Sequence, residues 1–433
     1  MATLGVIADD LTGATDVAIA LTAAGFRTTV VLGSDAHDSH GAEGAEGAEG
    51  AVTRTDDAVA DAAGRGDAVV VALKSRTMAV DAAVAASLNA LDRLRRAGCS
   101  RFYVKYCSTF DSTPRGNIGP VVEAVLDALG ANVTVVAPAF PANGRTVYRG
   151  HLFVWDDPLD ESPMRHHPLT PMTDSSLPRL LAPQVGGGAD DIALVPWPVV
   201  AQGADAVRGA IARAATAGAR FVVVDAVSDD DLRTLAHATG DLRLLTGGSA
   251  LAQGLDGPRD GSGHLPLSAP EGPRVVLSGS ASQATQAQVR HALAEGDGLR
   301  LRPDELRADF EATVSGAVSR ALESAAVPFV VHATAAPEHV VDTADAPLIE
   351  EALAEIAVRL VENGTRALLV AGGETSGAVV QRLGVAALAL GPEVDPGVAW
   401  TLGRRNGEDI HLMLKSGNFG RADLFVRAWK ANQ

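Results

Sequence analysis

Short apolar runs that end abruptly in polar or glycine residues recur along the chain, each followed by an alanine- and leucine-rich stretch with helical spacing. Residues 3–8 form the first run, closed by Asp9 and Asp10, and residues 17–24 read as helix. Further runs at 68–73, 101–105, 133–138 and 220–225 alternate with helical segments such as 80–97 and 120–129. Runs that are apolar throughout, rather than alternating, suit strands covered on both faces by helices. The rhythm resumes with strand-like runs at 274–277, 329–332 and 367–371 and helical segments at 283–294 and 347–362. The pattern predicts an α/β fold of two domains, each a mostly parallel sheet flanked by helices.

Two stretches break the rhythm. Residues 37–50 read HDSHGAEGAEGAEG, an acidic small-residue repeat with no apolar period to bury, so a mobile surface insertion is expected there. Residues 256–272, DGPRDGSGHLPLSAPEG, are dense in Gly, Pro and Ser and have the character of a linker. The expected division is therefore a first domain over 1–255 and a second over 273–433. A chain of 433 residues is longer than one ordinary core serves, which agrees with two domains.

Composition narrows the setting. Hydrophobic residues make up 47%, yet no apolar run approaches the ~18 residues of a membrane span. The opening MATLGVIADD lacks a basic n-region, so a soluble, cytoplasmic protein is expected. With Cys99 and Cys107 as its two cysteines, the chain has no disulfide framework to build. A formal charge of −17 disfavours non-specific nucleic-acid binding and means that an anionic substrate must meet a local basic cluster.

Candidate chemistry gathers where runs end. In VIADDLTGATD, Asp9, Asp10 or Asp16 could accept a proton from a substrate hydroxyl, and the amides of Gly13 and Ala14 could face an anion. The plainer alternative is a helix cap made by Asp10 or Thr12. Lys74, Ser75 and Arg76 supply two cations after the second run. KYCSTFDSTPRGNIGP places Lys105, Asp111, Arg115 and Asn117 at and after the end of the third, with a helix start expected at Gly119-Pro120. Arg145 and the segment from His166 add further polar groups in irregular backbone. His151, His166 and His167 have no recognised zinc-ligand spacing.

In the second half, LSGSAS from Leu277, AGGETSG from Ala371 and KSGNFG from Lys415 are glycine- and hydroxyl-rich. The first two lie between a strand and a helix, where backbone amides hold phosphates. There is no Walker A pattern and no protein-kinase signature set. The consecutive carboxylates Asp9-Asp10 also differ from the D-x-D of a haloacid-dehalogenase phosphatase.

Taken together, the segments from ADDLTGATD to KSGNFG resemble the four-carbon acid sugar kinase family, whose members join an N-terminal substrate domain to a C-terminal nucleotide domain. The strings KYCSTFDSTPRGNIGP, GRTVYRGHLFV, HHPLTPMTDSSL and LTGGSALAQGL are most like the branch acting on 3-oxo-tetronates, rather than the threonate and erythronate branch. The resemblance implies ATP, Mg²⁺ and phosphorylation of a C4 hydroxyl. Carried over by position, it implies that Ser278, Gly372, Gly373, Glu374, Thr375 and Gly417 contact ATP. The sugar acid would lie against Asp9, Asp10, Lys74, Arg76, Lys105 and Asp111. Asp10 is the expected base, ahead of Asp111, and Arg76 with Lys74 the expected carboxylate clamp. The Mg²⁺ ligands and the oligomeric state, a homodimer included, stay open. A threonate or erythronate 4-kinase of the same family is the alternative, and a sugar-acid or nucleotide sensor that binds without transfer is the competing class.

Overall fold

The computed structural model of the chain describes residues 3–33, 45–167, 170–267, 272–325, 327–340 and 343–430. Two compact units divide it, residues 1–263 and 264–433, so the boundary falls inside the Gly- and Pro-rich stretch.

The first unit contains strands β1 (Leu4–Ala8), β2 (Thr28–Leu32), β3 (Ala68–Ala72), β4 (Arg101–Lys105) and β5 (Thr134–Ala137). A small antiparallel sheet follows, of β6 (Arg145–Tyr148), β7 (His151–Val154) and β8 (Asp157–Pro158). The chain then returns to the main sheet through β9 (Ile192–Val195), β10 (Phe221–Val224) and β11 (Leu244–Gly247). The main sheet runs β2-β3-β1-β4-β11-β5-β10-β9, with every neighbour parallel. Both β1 and β3 are buried along their whole length, as their unbroken apolar sequences require.

The topology selects one edge for chemistry. From β1 the chain leaves through helix Leu11–Ala23 toward β2 on one side, and from β4 through helix Ile118–Leu129 toward β5 on the other. The two connections part between β1 and β4, and a crevice at such a switch point is where open α/β sheets bind ligands. Register aligns the ends: Ala8 pairs with both Ala72 and Lys105. Residues just beyond β1, β3 and β4 therefore emerge together.

In the second unit the order is β13-β14-β12-β15-β18-β17-β16: β12 (Arg274–Ser278), β13 (Asp297–Arg300), β14 (Phe329–His332), β15 (Ala367–Ala371), β16 (Ala387–Asp395), β17 (Val398–Arg405) and β18 (Glu408–Lys415). The first five of that order are mutually parallel, while β16, β17 and β18 form an antiparallel meander. Its last turn carries Asn406 at φ 51 and Gly407 at φ 85, the left-handed pair that tight hairpins favour. Val276, Val330, Leu369 and Met413 share one core cluster with Trp400, Phe425 and Trp429. Two residues further along each strand, on the same face by alternation, come Ser278, His332, Ala371 and Lys415. That face thus turns from apolar to polar at its carboxyl edge.

Three expectations change. The first helix begins at Leu11, not near residue 17, because Asp10 caps it. The helix expected from residue 120 begins at Ile118, with Pro120 inside its first turn, where a missing amide costs nothing. Of the acidic repeat, residues 37–44 lie outside the described residues, whereas 45–50 open helix Ala45–Arg65, in keeping with the helix preference of Ala and Glu.

Asp225 ties the small sheet to the main one. Its fully buried carboxylate accepts from the amides of Arg149 (2.6 Å), Gly150 (2.8 Å) and Trp197 (2.8 Å). Asp225→Ala should cost about 2–4 kcal/mol in urea unfolding, because buried amides lose their acceptor.

Candidate active site

Backbone bonds first lace the three strand ends together. The Asp9 amide donates to the Lys105 carbonyl at 3.1 Å, and the amides of Ser75 and Arg76 donate to the Asp9 carbonyl at 3.0 and 3.3 Å. Asn117 reaches over from the helix start, its Nδ2 donating to the carbonyls of Ser75 (2.7 Å), Met78 (3.0 Å) and Arg76 (3.3 Å). The loop carrying Arg76 is thereby held on two sides.

Arg76 then organises the charges. Its Nε and Nη2 donate to the two oxygens of Asp9 at 2.7 and 2.8 Å, and Nη2 also lies 3.1 Å from Asp10 Oδ1. Nη1 lies 3.7 Å from Asp111 Oδ2. Burial pushes the guanidinium down, but Asp9 and Asp10 outweigh it and hold it well above the usual range. For Asp10 the balance tips the other way. Burial, with a smaller push from Asp9, raises its carboxyl against the pull of Arg76 and Lys105.

Asp10 caps the first helix through Oδ1, which accepts from the Gly13 amide at 2.7 Å, while the Ala14 amide donates to the Asp10 carbonyl at 3.0 Å. Both amides expected to face an anion are therefore consumed inside the helix, a consequence of its start at Leu11. Among the described residues Oδ2 of Asp10 has no partner. A Cβ on Gly13 would stand 2.3 Å from Asp10 Oδ1 and 3.0 Å from Lys105 Nζ, so glycine is what lets carboxylate and ammonium approach the helix. Lys105 is buried and donates to the Tyr106 carbonyl at 3.0 Å. Asp16, one turn on, has its carboxyl pushed up by burial against the opposing pull of Lys105 and of a 2.5 Å hydrogen bond from Ser249.

Asp111 arrives by an unusual backbone. Phe110 sits at φ 60 with its ring edge-on to Tyr106, centroids 5.6 Å apart, and the chain turns back so that Asp111 faces Arg76. Thr109 donates to Asp111 Oδ1 at 2.6 Å. The Cys107 thiol, beside Thr109 at 3.0 Å, is pushed up to about 12 by burial, which disfavours the thiolate. A small pocket opens here, walled by Asp9, Arg76, Lys105, Asp111, Ser112 and Asn117 and by the apolar Ile7, Val104 and Val121. Arg145 lies close enough to Asp111 to feel its charge and leaves Nε buried without a partner among the described residues.

Of the residues expected around the sugar acid, the structure gathers Asp9, Asp10, Arg76, Lys105 and Asp111. Lys74 is half-buried and makes no side-chain hydrogen bond or ion pair among the described residues. Asn117 and Arg145 stood in strings already singled out, but nothing in one dimension revealed the contacts they make. His151 Nδ1 pairs with Ser175 Oγ, 24 residues on, at 3.0 Å, and His167 Nδ1 with Thr170 Oγ1 of its own segment at 2.9 Å.

The second unit repeats the lacing with different chemistry. The amides of Gly279 and Ser280 donate to the Ala371 carbonyl at 3.1 and 3.2 Å, and the Gly372 amide to the Lys415 carbonyl at 2.9 Å. Gly372 is at φ 126, which only glycine adopts freely. A Cβ on Gly279 would meet Thr375 Oγ1 at 2.2 Å, and one on Gly417 would meet Ser280 Oγ at 2.9 Å. Ser278, Gly372, Thr375 and Gly417 thus belong to one cradle. Gly373 and the exposed Glu374 open helix Gly373–Leu383, whose N-terminus has no side-chain cap, leaving first-turn amides for an anion. Ser278 Oγ and Ser376 Oγ are buried without partners among the described residues.

Two known families match the chain in succession. Residues 4–255 match the family described as sugar-binding N-terminal domain, and residues 275–425 that described as nucleotide-binding C-terminal domain. A Pseudomonas fluorescens protein named 3-oxo-tetronate kinase is 48% identical over 98% of this chain and 96% of its own. One from Cupriavidus necator with the same name is 46% identical, again over 98% and 96%. A solved Haemophilus influenzae structure superposes with a TM-score of 0.78 at 38% identity, covering 99% of this chain and 100% of its own.

Gly13→Ala should force Asp10 off its cap. Steady-state assays should show kcat falling at least tenfold, while loss of the cap costs about 1 kcal/mol in a thermal melt.

Proposed function

The chain belongs to the family that joins a sugar-binding N-terminal domain to a nucleotide-binding C-terminal domain, and we infer from this that it is an ATP-dependent kinase phosphorylating the C4 hydroxyl of a 3-oxo-tetronate. The observation that carries this reading is that relatives 46% and 48% identical, matched over nearly their full length, bear the name 3-oxo-tetronate kinase. The geometry is consistent with it: one unit concentrates carboxylates and cations, the other glycines, hydroxyls and an uncapped helix N-terminus. The protein works in the cytoplasm on small molecules.

In this reading Asp10 takes the proton of the C4 hydroxyl through Oδ2, since Oδ1 is occupied by Gly13 and Arg76. Burial favours a protonatable carboxyl there, the property a general base needs. Asp9 holds Arg76 in place, and Asp111 lies across the pocket. The tetronate carboxylate falls to Lys74, to Lys105 and to Nη1 of Arg76, which has no hydrogen bond among the described residues.

Ser278, Gly372, Gly373, Thr375 and Gly417 cradle the nucleotide phosphates. Ser278, Glu374 and Thr375 carry oxygen ligands of the kind Mg²⁺ takes, and Glu374 is the carboxylate in that loop that would hold it together with the phosphates. Bound there, Mg²⁺ would neutralise phosphate charge during transfer.

A coupled ADP-release assay over 3-oxo-tetronates, threonate and erythronate tests the reading. Release dependent on a 3-oxo-tetronate is expected, and ligand binding without release would make the protein a sensor instead. Asp10→Asn keeps a capping side chain and should retain the wild-type melting temperature, yet lower kcat about 10²–10⁴-fold. Lys74→Ala should raise KM for the sugar acid roughly tenfold and leave KM for ATP unchanged, as expected of an interaction made equally in ground and transition states.

A further inference from the structure

Lys415 ends β18 on the polar edge of the core face, and its side chain is fully buried. Its Nζ donates to Thr285 Oγ1 at 2.8 Å and to the Gly417 carbonyl at 2.9 Å, with the Phe425 ring 6.0 Å away. No carboxylate pairs with it among the described residues. An unpaired ammonium at such a place is costly, and burial pushes it down to about 7. Leucine or methionine would pack there without that cost.

The surrounding charges are satisfied elsewhere. Asp395 lies 2.6 Å from Arg427, and Asp423 lies 3.6 Å from the same guanidinium. Arg290 donates to the Ala335 carbonyl, His291 and Glu295 face each other at 3.3 Å, and Glu374 is exposed. Burial pushes His332 down to about 4, so it is neutral near pH 7.

What Lys415 holds is a single carbonyl. The oxygen of Gly417 accepts from Lys415, from Thr285 Oγ1 at 2.8 Å and from the Ser282 hydroxyl. In a trans peptide the following amide points the opposite way, so the Asn418 N–H is turned out of this clamp. That amide has no hydrogen-bond acceptor among the described residues. Gly417 itself backs onto Ser280, in the loop that begins with the buried, partnerless hydroxyl of Ser278.

We propose that Lys415 is a positioning residue for the phosphates of a nucleoside di- or triphosphate: through the Gly417 carbonyl it aims the Asn418 amide at a phosphate oxygen, and the bound phosphate supplies its missing counter-charge. This rests on the reading of the second unit as the nucleotide site. With an anion beside it the ammonium is favoured, so binding above pH 7 takes up a proton, and affinity weakens as pH rises through that range.

The test is calorimetric titration of the full chain with ADP at pH 8, in buffers of different ionisation enthalpy. Uptake approaching one proton per ADP is expected, and binding without uptake would overturn the proposal. Lys415→Met should weaken ADP binding at least tenfold at pH 7, abolish the uptake and leave KM for the sugar acid alone. A folded Lys415→Met protein that binds ADP within twofold of wild type also overturns it. Should that variant fail to fold, the wild-type proton count decides by itself. If the wild type binds no ADP at all, the nucleotide reading fails and this inference with it.

Discussion

The Arg76 guanidinium, gripping both oxygens of Asp9, is the interaction on which the sugar-acid end depends. Parallel strands deliver their carboxyl ends to one edge, so Asp9, Asp10 and Asp111 crowd together and would repel one another without a shared cation. A planar fork answers several carboxylates at once in a way that an ammonium does not. The consequence reaches into secondary structure. Asp10 stays where it can cap the helix at Gly13 and keeps its other oxygen without a partner among the described residues, while its carboxyl is raised by burial despite the cations beside it.

The nucleotide-binding unit solves a different electrostatic problem. Its cradle is built from backbone amides, hydroxyls and the close approach of Gly279, Gly372 and Gly417, and its buried cation, Lys415, has no counter-ion among the described residues. An edge made of donors suits a ligand that brings its own negative charge. The two units therefore divide the chemistry by charge: one holds carboxylates already paired with cations, the other holds donors awaiting an anion.

Asp9, Asp10, Arg76, Lys105 and Asp111 were legible because strand ends are legible: an apolar run stops and charged residues follow. Their partners were not. That Asp10 would consume the amides of Gly13 and Ala14 depends on where the helix begins, a choice made by the cap itself. Asn117 looked like part of a helix start, and its grip on the carbonyls of residues 75–78 exists only once β3 and β4 are brought near each other. The meander of β16, β17 and β18 passed unread although Asn406-Gly407 is a strong hairpin signal, because its strands carry glycine, proline and charged residues rather than one apolar run.

By itself the sequence determined the class of the protein: the period of its apolar runs dictates strands covered by helices, and the strings from ADDLTGATD to KSGNFG carry the family. Only the tertiary structure decided which polar groups meet. Arg76 and Asp9 are 67 residues apart, and Lys415 and Thr285 are 130 apart. Strand order and register, rather than local propensity, bring these pairs within hydrogen-bond distance.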